Sequence, residues 1–273
     1  MTKLKDIVQQ ELEISSDLIL KLISFIDLTS LNNTDNRAII KSLIDKANLG
    51  FKNQLPAAIC VFSNFGDYVK QNISSDINVA VVSTCFPSGQ TIQKAKFLEI
   101  ECVNETNIDE VDIVIPRGEF LAKNFSYVAN EISKIKSLLP DKHLKVILET
   151  GELGTEENIR KASQIAMQSG ADFIKTSTGK MSIGSTPEAV YYMCTEIAKH
   201  HLKTGVKIGI KPAGGIRSVN DALVIYKIVK TILGEDWLNP ALLRIGASSL
   251  YDNLINEHKT RFGSWLKNTS QQL

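Results

Sequence analysis

The chain has 273 residues, with 31 Lys and Arg against 30 Asp and Glu, and a formal charge of +1. Its 43% hydrophobic and 22% charged content is that of a soluble globular protein, and the charge balance argues against a dedicated nucleic-acid binder or a membrane-surface protein. The length fits either two small domains or one barrel-sized domain.

The amino-terminal stretch over residues 1–16 mixes Lys, Asp, Glu and Gln and has no apolar core, so it reads as a short helical extension (about residues 1–20) and not as a secretory signal. No apolar run is long enough to span a bilayer. Cys60, Cys85, Cys102 and Cys194 are far apart and form no CxxC pair, which predicts reduced thiols in a cytoplasmic protein. From there short apolar runs alternate with helical patterns. The predicted strands are SFID (24–27), AAICVF (57–62), NVAVVST (78–84), EVDIVIP (110–116), KVILET (145–150), DFIKTS (172–177), VKIGIKP (206–212) and LLRIGA (242–247). They are short, rich in Val and Ile, and largely apolar on both faces, the pattern of buried parallel strands.

Between them, Thr34 to Arg37 opens a helix with Ile39, Ile40, Leu43 and Ile44 on its apolar stripe. Thr155 caps another, with Glu156 and Glu157 in the first turn where the helix dipole favours acids, and Ile159, Ala162 and Ile165 face inward. Gly170 falls at that helix's end. Ser218 caps a later helix with Ala222, Ile225, Tyr226 and Val229 buried. Eight strands alternating with helices over this length predict an α/β fold, a single (β/α)8 TIM barrel. The competing fold is a doubly wound sheet, which would often carry a glycine-rich turn after its first strand; here DLTSLNNTD follows, without glycine.

In such a barrel the chemistry lies at the carboxyl ends of the strands. The polar residues that interrupt or end the apolar runs are Asp27, Cys60, Asp112, Glu149, Lys175 and Lys211. A buried ammonium is costly unless paired or neutralised, and a lysine made partly neutral by burial and a cationic neighbour is an amine nucleophile. Lys175 and Lys211, on adjacent strands six and seven, are each expected to lower the other's pKa, with Gly209 leaving space beneath Lys211. Each residue also has an ordinary reading. A strand lysine is usually solvated, a lone strand Asp can bond backbone, and Cys60 can be a small core hydrophobe.

Three segments follow strands six to eight: Thr178-Gly179-Lys180, Ala213-Gly214-Gly215-Ile216-Arg217 and Gly246-Ala247-Ser248-Ser249. Glycine backbone, hydroxyls and cations in these loops predict a phosphate site; the alternative is ordinary turns. His143, His200, His201 and His258 form no metal spacing, so no metal site is expected and an amine nucleophile is favoured over metal-assisted aldol chemistry.

At these residues the sequence resembles deoxyribose-phosphate aldolase. The likeness is carried by DLTSLN (27–32), DEVDIV (109–114), FIKTSTGK (173–180), KPAGGIR (211–217) and RIGASS (244–249), in order over nearly the whole chain. The resemblance implies a class I aldolase that reversibly cleaves 2-deoxy-D-ribose 5-phosphate into acetaldehyde and D-glyceraldehyde 3-phosphate, a role in deoxyribonucleotide breakdown, and no cofactor. By motif, Lys175 matches the Schiff-base lysine, Lys211 the second lysine and Asp112 the acid/base carboxylate, relaying protons through a water. Asp27 and Cys60 match substrate-pocket positions, and Gly179, Lys180, Gly214, Gly215, Arg217, Gly246, Ser248 and Ser249 the phosphate-binding segments. The only partner implied is a small phosphorylated sugar, with a homo-oligomer, foremost a dimer, expected through outer helices.

The chain departs from the family at Thr84 to Gly89, which keeps Phe-Pro and Gly but has its own flanking residues. It also ends Gln-Gln-Leu, without the terminal tyrosine that closes the site in some members. Two other readings stand beside this one. The first is another Schiff-base barrel aldolase of transaldolase or fructose-bisphosphate type; the second is a sugar-phosphate sensor that binds without turnover.

Overall fold

The computed structural model describes residues 2–263. Two helices come first, α1 (Thr2–Gln9) and α2 (Ser16–Ser24). Strands and helices then alternate as β1 (Ile26–Thr29), α3 (Arg37–Leu49), β2 (Ala58–Phe62), α4 (Gly66–Lys70), β3 (Asn78–Val82), α5 (Gln93–Asn104), β4 (Glu110–Val114), α6 (Arg117–Leu121), α7 (Phe125–Ser137), β5 (His143–Ile147), α8 (Thr150–Leu153), α9 (Glu156–Gln168), β6 (Phe173–Lys175), α10 (Pro187–Thr204), β7 (Gly209–Lys211), α11 (Val219–Leu233), β8 (Ile245–Ala247) and α12 (Leu250–Phe262). The predicted helix starts are there. Asn36 caps α3 by accepting from the N–H groups of Ala38 and Ile39, Thr155 caps α9, and Ser218 with Asp221 forms a capping box on α11.

All eight strands are parallel and pair in chain order, with β8 beside β1. The last seam closes where Ile210 N–H donates to Leu242 O at 2.8 Å, Arg244 N–H to Ile210 O at 3.0 Å and Gly246 N–H to Pro212 O at 2.9 Å. One circuit of the strand register ends eight residues out of step, the shear of a (β/α)8 barrel. Strand bounds differ from the sequence expectation by a few residues. Because α2 runs to Ser24, β1 begins later than predicted, and β7 and β8 are three residues each.

Alternation sorts the strand residues into two environments. Leu28, Ile59, Val61, Val79, Val81, Val111, Ile113, Leu144, Val146, Ile174, Ile210 and Ile245 point outward and form the hydrophobic core with the buried helix faces. On α3 the buried stripe is Ile40, Ile44 and Ala47, whereas Ile39, expected on that stripe, is 40% exposed because it lies on the far edge of the first turn. The inward positions are different. A small cluster of Leu31, Cys60, Ala80 and Val82, packed by Phe62 and Phe86, is apolar. Beside it lie the buried charges Asp27, Glu110, Asp112, Lys145, Lys175 and Lys211, so the strands are not apolar on both faces as their sequences suggested.

The amino-terminal helices are fixed to the barrel's outer layer. Lys227 on α11 donates to the carbonyls of Val8 and Gln10 at 2.5 and 2.9 Å, and Ser16 Oγ lies 2.7 Å from the His258 ring nitrogen on α12. No helix among the described residues is long and apolar enough to cross a membrane.

Candidate active site

Strand register brings the predicted residues together. Lys175 pairs with Lys211 across β6 and β7, and Asp112 with Lys145 across β4 and β5. Lys175 Nζ and Lys211 Nζ both donate to Asp112 Oδ2 at 2.7 Å. Lys211 also lies 2.5 Å from Asp27 Oδ2. The Cys60 thiol is 4.0 Å from the same Asp112 oxygen. The sequence placed these five residues in one barrel mouth, and the structure makes them one contact network.

Three further members escaped the sequence reading. Lys145 lies 3.2 Å from Asp112 Oδ1, 3.8 Å from Asp27 Oδ2 and in ion-pair contact with Glu110. Arg244 bridges Asp27 Oδ1 at 2.8 Å and Glu110 Oε1 at 2.7 Å. The Phe173 ring packs beneath, its centroid 5.9 Å from Lys145 Nζ and 5.7 Å from the Arg244 guanidinium. A signal for them was present. Glu110 and Asp112 are two apart on one strand and so share a face, but Lys145 and Arg244 stand near strand starts, where a charge usually reads as solvated.

Gly209 does leave space, though not for Lys211. A Cβ there would stand 2.2 Å from the Phe173 ring, so the ring fills that space. The residue that makes room for Lys211 is Gly246, whose added Cβ would lie 3.2 Å from Lys211 Cε.

The electrostatics follow from burial and neighbours. Burial alone would raise the Asp112 carboxyl, but Lys145, Lys175 and Lys211 outweigh it and hold it far below its ordinary 3.8. Burial likewise opposes ionisation of Asp27 and Glu110, yet Lys211, Arg244 and Lys145 keep both lowered. Burial disfavours the Lys211 ammonium, but Asp112 and Asp27 outweigh it and raise it well above 10.5. The expectation that Lys175 would lower Lys211 is thus corrected: two carboxylates against one neighbouring cation decide the sign. Lys145 is raised in the same way, against burial, by Asp112 and Glu110. Burial pushes the Cys60 thiol up, which keeps it uncharged.

Above this layer a cavity of about 370 Å³ opens from Lys175 towards the loops after β6, β7 and β8. Its lining includes Gly179, Lys180, Gly214, Gly215, Arg217, Gly246, Ser248 and Ser249, so every residue predicted for phosphate binding reaches one space. Three backbones meet at its wall. A Cβ on Gly214 would lie 3.2 Å from both Gly179 Cα and Gly184 Cα, and Gly214 itself has φ +85°. The glycines therefore let the loops approach edge to edge and leave N–H groups free to face an anion. Ser248 and Ser249 directly precede α12, so the helix dipole adds to the positive rim supplied by Lys180 and Arg217. Leu31, which also lines the cavity, belongs to an apolar cluster with Val82, Phe62 and Phe86.

Among the described residues no group of His, Cys, Asp or Glu could hold a metal ion, and all four cysteines are free. The carboxyl-terminal Gln271-Gln272-Leu273 lies outside the described residues.

Comparison with known proteins shows the family. A family model described as DeoC/LacD family aldolase matches residues 21–250. The deoxyribose-phosphate aldolase of Homo sapiens is 41% identical over 251 residues, covering 86% of this chain and 79% of the human one. That of Agrobacterium fabrum is 37% identical over 236 residues, covering 86% and 89%. Among solved structures, the deoxyribose phosphate aldolase of Aeropyrum pernix superposes with a TM-score of 0.69 at 24% identity, over 94% of this chain and 98% of that one, a likeness of fold. The chain is a (β/α)8 barrel that belongs to the DeoC/LacD family of aldolases.

Proposed function

We propose that the protein reversibly cleaves 2-deoxy-D-ribose 5-phosphate to acetaldehyde and D-glyceraldehyde 3-phosphate through a Schiff base on Lys175. The observation that carries this reading is the position of Lys175. It stands where the charged lumen meets the cavity whose loops suit a phosphate. The names of the family's relatives point to the same substrate.

Charge counting explains why Lys175 is the nucleophile. Asp27, Glu110 and Asp112 offer three negative charges; Lys145, Lys175, Lys211 and Arg244 offer four positive ones. A buried cluster is least costly when neutral, so one cation must give up its proton. Lys145, Lys211 and Arg244 each touch at least two carboxylates, whereas Lys175 touches Asp112 alone and faces the cavity.

The neutral amine adds to C1 of the open-chain sugar, and loss of water with uptake of one proton from solvent leaves an iminium. That iminium is now the one uncompensated positive charge. Asp112, through a water, takes the proton of the C3 hydroxyl while the C2–C3 electron pair flows into the iminium and restores neutrality. Acetaldehyde carries two carbons, so the bond that breaks is C2–C3. Asp112 returns that proton through the same water to the enamine. Protonation of the enamine at C2 and hydrolysis release acetaldehyde and regenerate the amine. The phosphate grip by Gly179, Lys180, Gly214, Gly215, Arg217, Gly246, Ser248 and Ser249 holds the carbon chain in line. Asp27 and Cys60 complete the lumen at C1. Only the lysine amine supplies the chemistry, without metal or organic cofactor. The barrel with α1 and α2 works as a single unit in the cytoplasm, in a homo-oligomer expected to be a dimer.

Incubation with deoxyribose 5-phosphate and borohydride tests the reading. The expected result is a single adduct on Lys175 by mass spectrometry and acetaldehyde in the unreduced reaction. Labelling elsewhere, or a different aldehyde product, sinks it.

A further inference from the structure

Beside the phosphate loops sits a fully buried carboxylate that the reaction does not use. Glu149 lies two residues beyond β5, with its backbone in the left-handed region at φ 58°. The chain on each side is pinned to β6: Leu148 N–H donates to Lys175 O and Thr150 N–H to Thr176 O, both at 2.9 Å. Only the residue between is turned, and the turn aims its carboxylate at the loop after β6. There it accepts from Thr178 N–H at 3.2 Å and from Thr178 Oγ at 2.5 Å. Thr178 Oγ in turn accepts from Lys180 N–H at 3.1 Å. A non-glycine residue in the left-handed region is strained, and surrounding contacts must hold it there.

A buried anion next to a phosphate grip is costly unless a cation offsets its charge. Arg117 is that cation, shared with Glu152. The guanidinium is 3.5 Å from Glu149 Oε2 and 2.6 Å from Glu152 Oε2. It also donates to Pro87 O at 3.3 Å and Ser88 O at 2.8 Å, in the loop after β3. The pair therefore joins the loop behind the apolar wall to the loop that grips phosphate.

We propose that Glu149, braced by Arg117, is a positioning residue that holds Thr178 to Lys180 in the shape that binds the substrate's phosphate. The proposal deepens the sugar-phosphate reading and rests on it for the identity of the ligand. Being acceptor-only, the carboxylate fixes both donors of Thr178, which leaves the Thr178 oxygen's lone pair for Lys180 N–H.

The test measures inorganic phosphate binding by calorimetry and steady-state turnover of deoxyribose 5-phosphate, for the wild type, Glu149→Gln, Glu149→Ala and Thr178→Val. Loss of charge-assisted hydrogen bonds predicts that Glu149→Ala weakens phosphate binding about tenfold or more and raises KM by a similar factor. Its kcat falls by a smaller factor than KM rises. Glu149→Gln, which keeps one acceptor oxygen, falls between Ala and wild type. Thr178→Val weakens phosphate like Glu149→Ala and carries the test if the latter does not fold. Phosphate binding equal to wild type in these variants overturns the proposal, as does a fall in kcat with KM unchanged. A wild type that does not bind phosphate also overturns it. A wild type that binds phosphate but releases no acetaldehyde, with binding still lost in the variants, upholds Glu149's role and sinks the aldolase reading instead.

Discussion

Replacing Lys211 by methionine keeps most of the side-chain length and removes one charge from the lumen. The wild-type cluster carries four cations against three carboxylates and becomes neutral when Lys175 is an amine. In Lys211→Met the cluster is neutral with Lys175 protonated, and freeing the amine leaves a buried negative charge. Both ammonium nitrogens are 2.7 Å from one oxygen, so they lie within roughly 5.4 Å of each other. At an effective dielectric of about 20, their repulsion is at least about 3 kcal/mol, worth roughly a hundredfold in rate. The assay is kcat/KM for deoxyribose 5-phosphate across pH, with borohydride trapping in parallel. Activity at neutral pH should fall about a hundredfold and climb as pH rises. The fold should survive, with less than the ~3–5 kcal/mol lost when a buried pair is broken and a charge left bare. Activity within tenfold of wild type at neutral pH, or a profile that does not climb, refutes the charge-balance argument.

Three other outcomes are expected. Gly209→Ala drives a Cβ to 2.2 Å from the Phe173 ring and should destabilise by about 1–3 kcal/mol, read as a lower denaturation midpoint; an unchanged midpoint counts against the packing described. Gly214→Ala, strained at φ +85° and pressed on Gly179, should raise KM for the sugar phosphate more than Ser249→Ala does, and the reverse order would misplace the centre of the phosphate grip. Stability should depend on pH in a fixed sense. Asp27, Glu110 and Asp112 are lowered from 3.8, 4.5 and 3.8, so their contribution is complete above about pH 5 and is lost as pH falls below those values. Lys145 and Lys211 are raised from 10.5, so theirs is complete below that pH and lost above it. Thermal midpoints should fall as pH drops below about 4 and as it rises above about 10.5; a midpoint unchanged between about pH 7 and pH 3 would contradict this.

The sequence by itself determined the alternation of eight apolar runs with capped helices, and hence the barrel. It also singled out Lys175, Lys211 and Asp112, because they fall together on apolar strands of one barrel and match the aldolase motifs, although each alone reads as an ordinary strand residue. The phosphate loops were legible as glycines and hydroxyls in the places where this fold binds anions. Only the tertiary structure decided which charges share the lumen. Lys145, Glu110 and Arg244 look like solvated strand starts until strand pairing turns them inward, and the contact between Arg244 and Glu110 joins residues more than a hundred positions apart. The same holds for sign. Two adjacent lysines suggested mutual depression, but Lys211 sits between two carboxylates and is raised. Glu149 was visible as a strand-ending acid, yet its partner is a loop after the next strand, which no local pattern announces. Local periodicity sets secondary structure through short-range sterics and burial, whereas ionisation and loop placement depend on neighbours that only the closed barrel brings within a few ångströms.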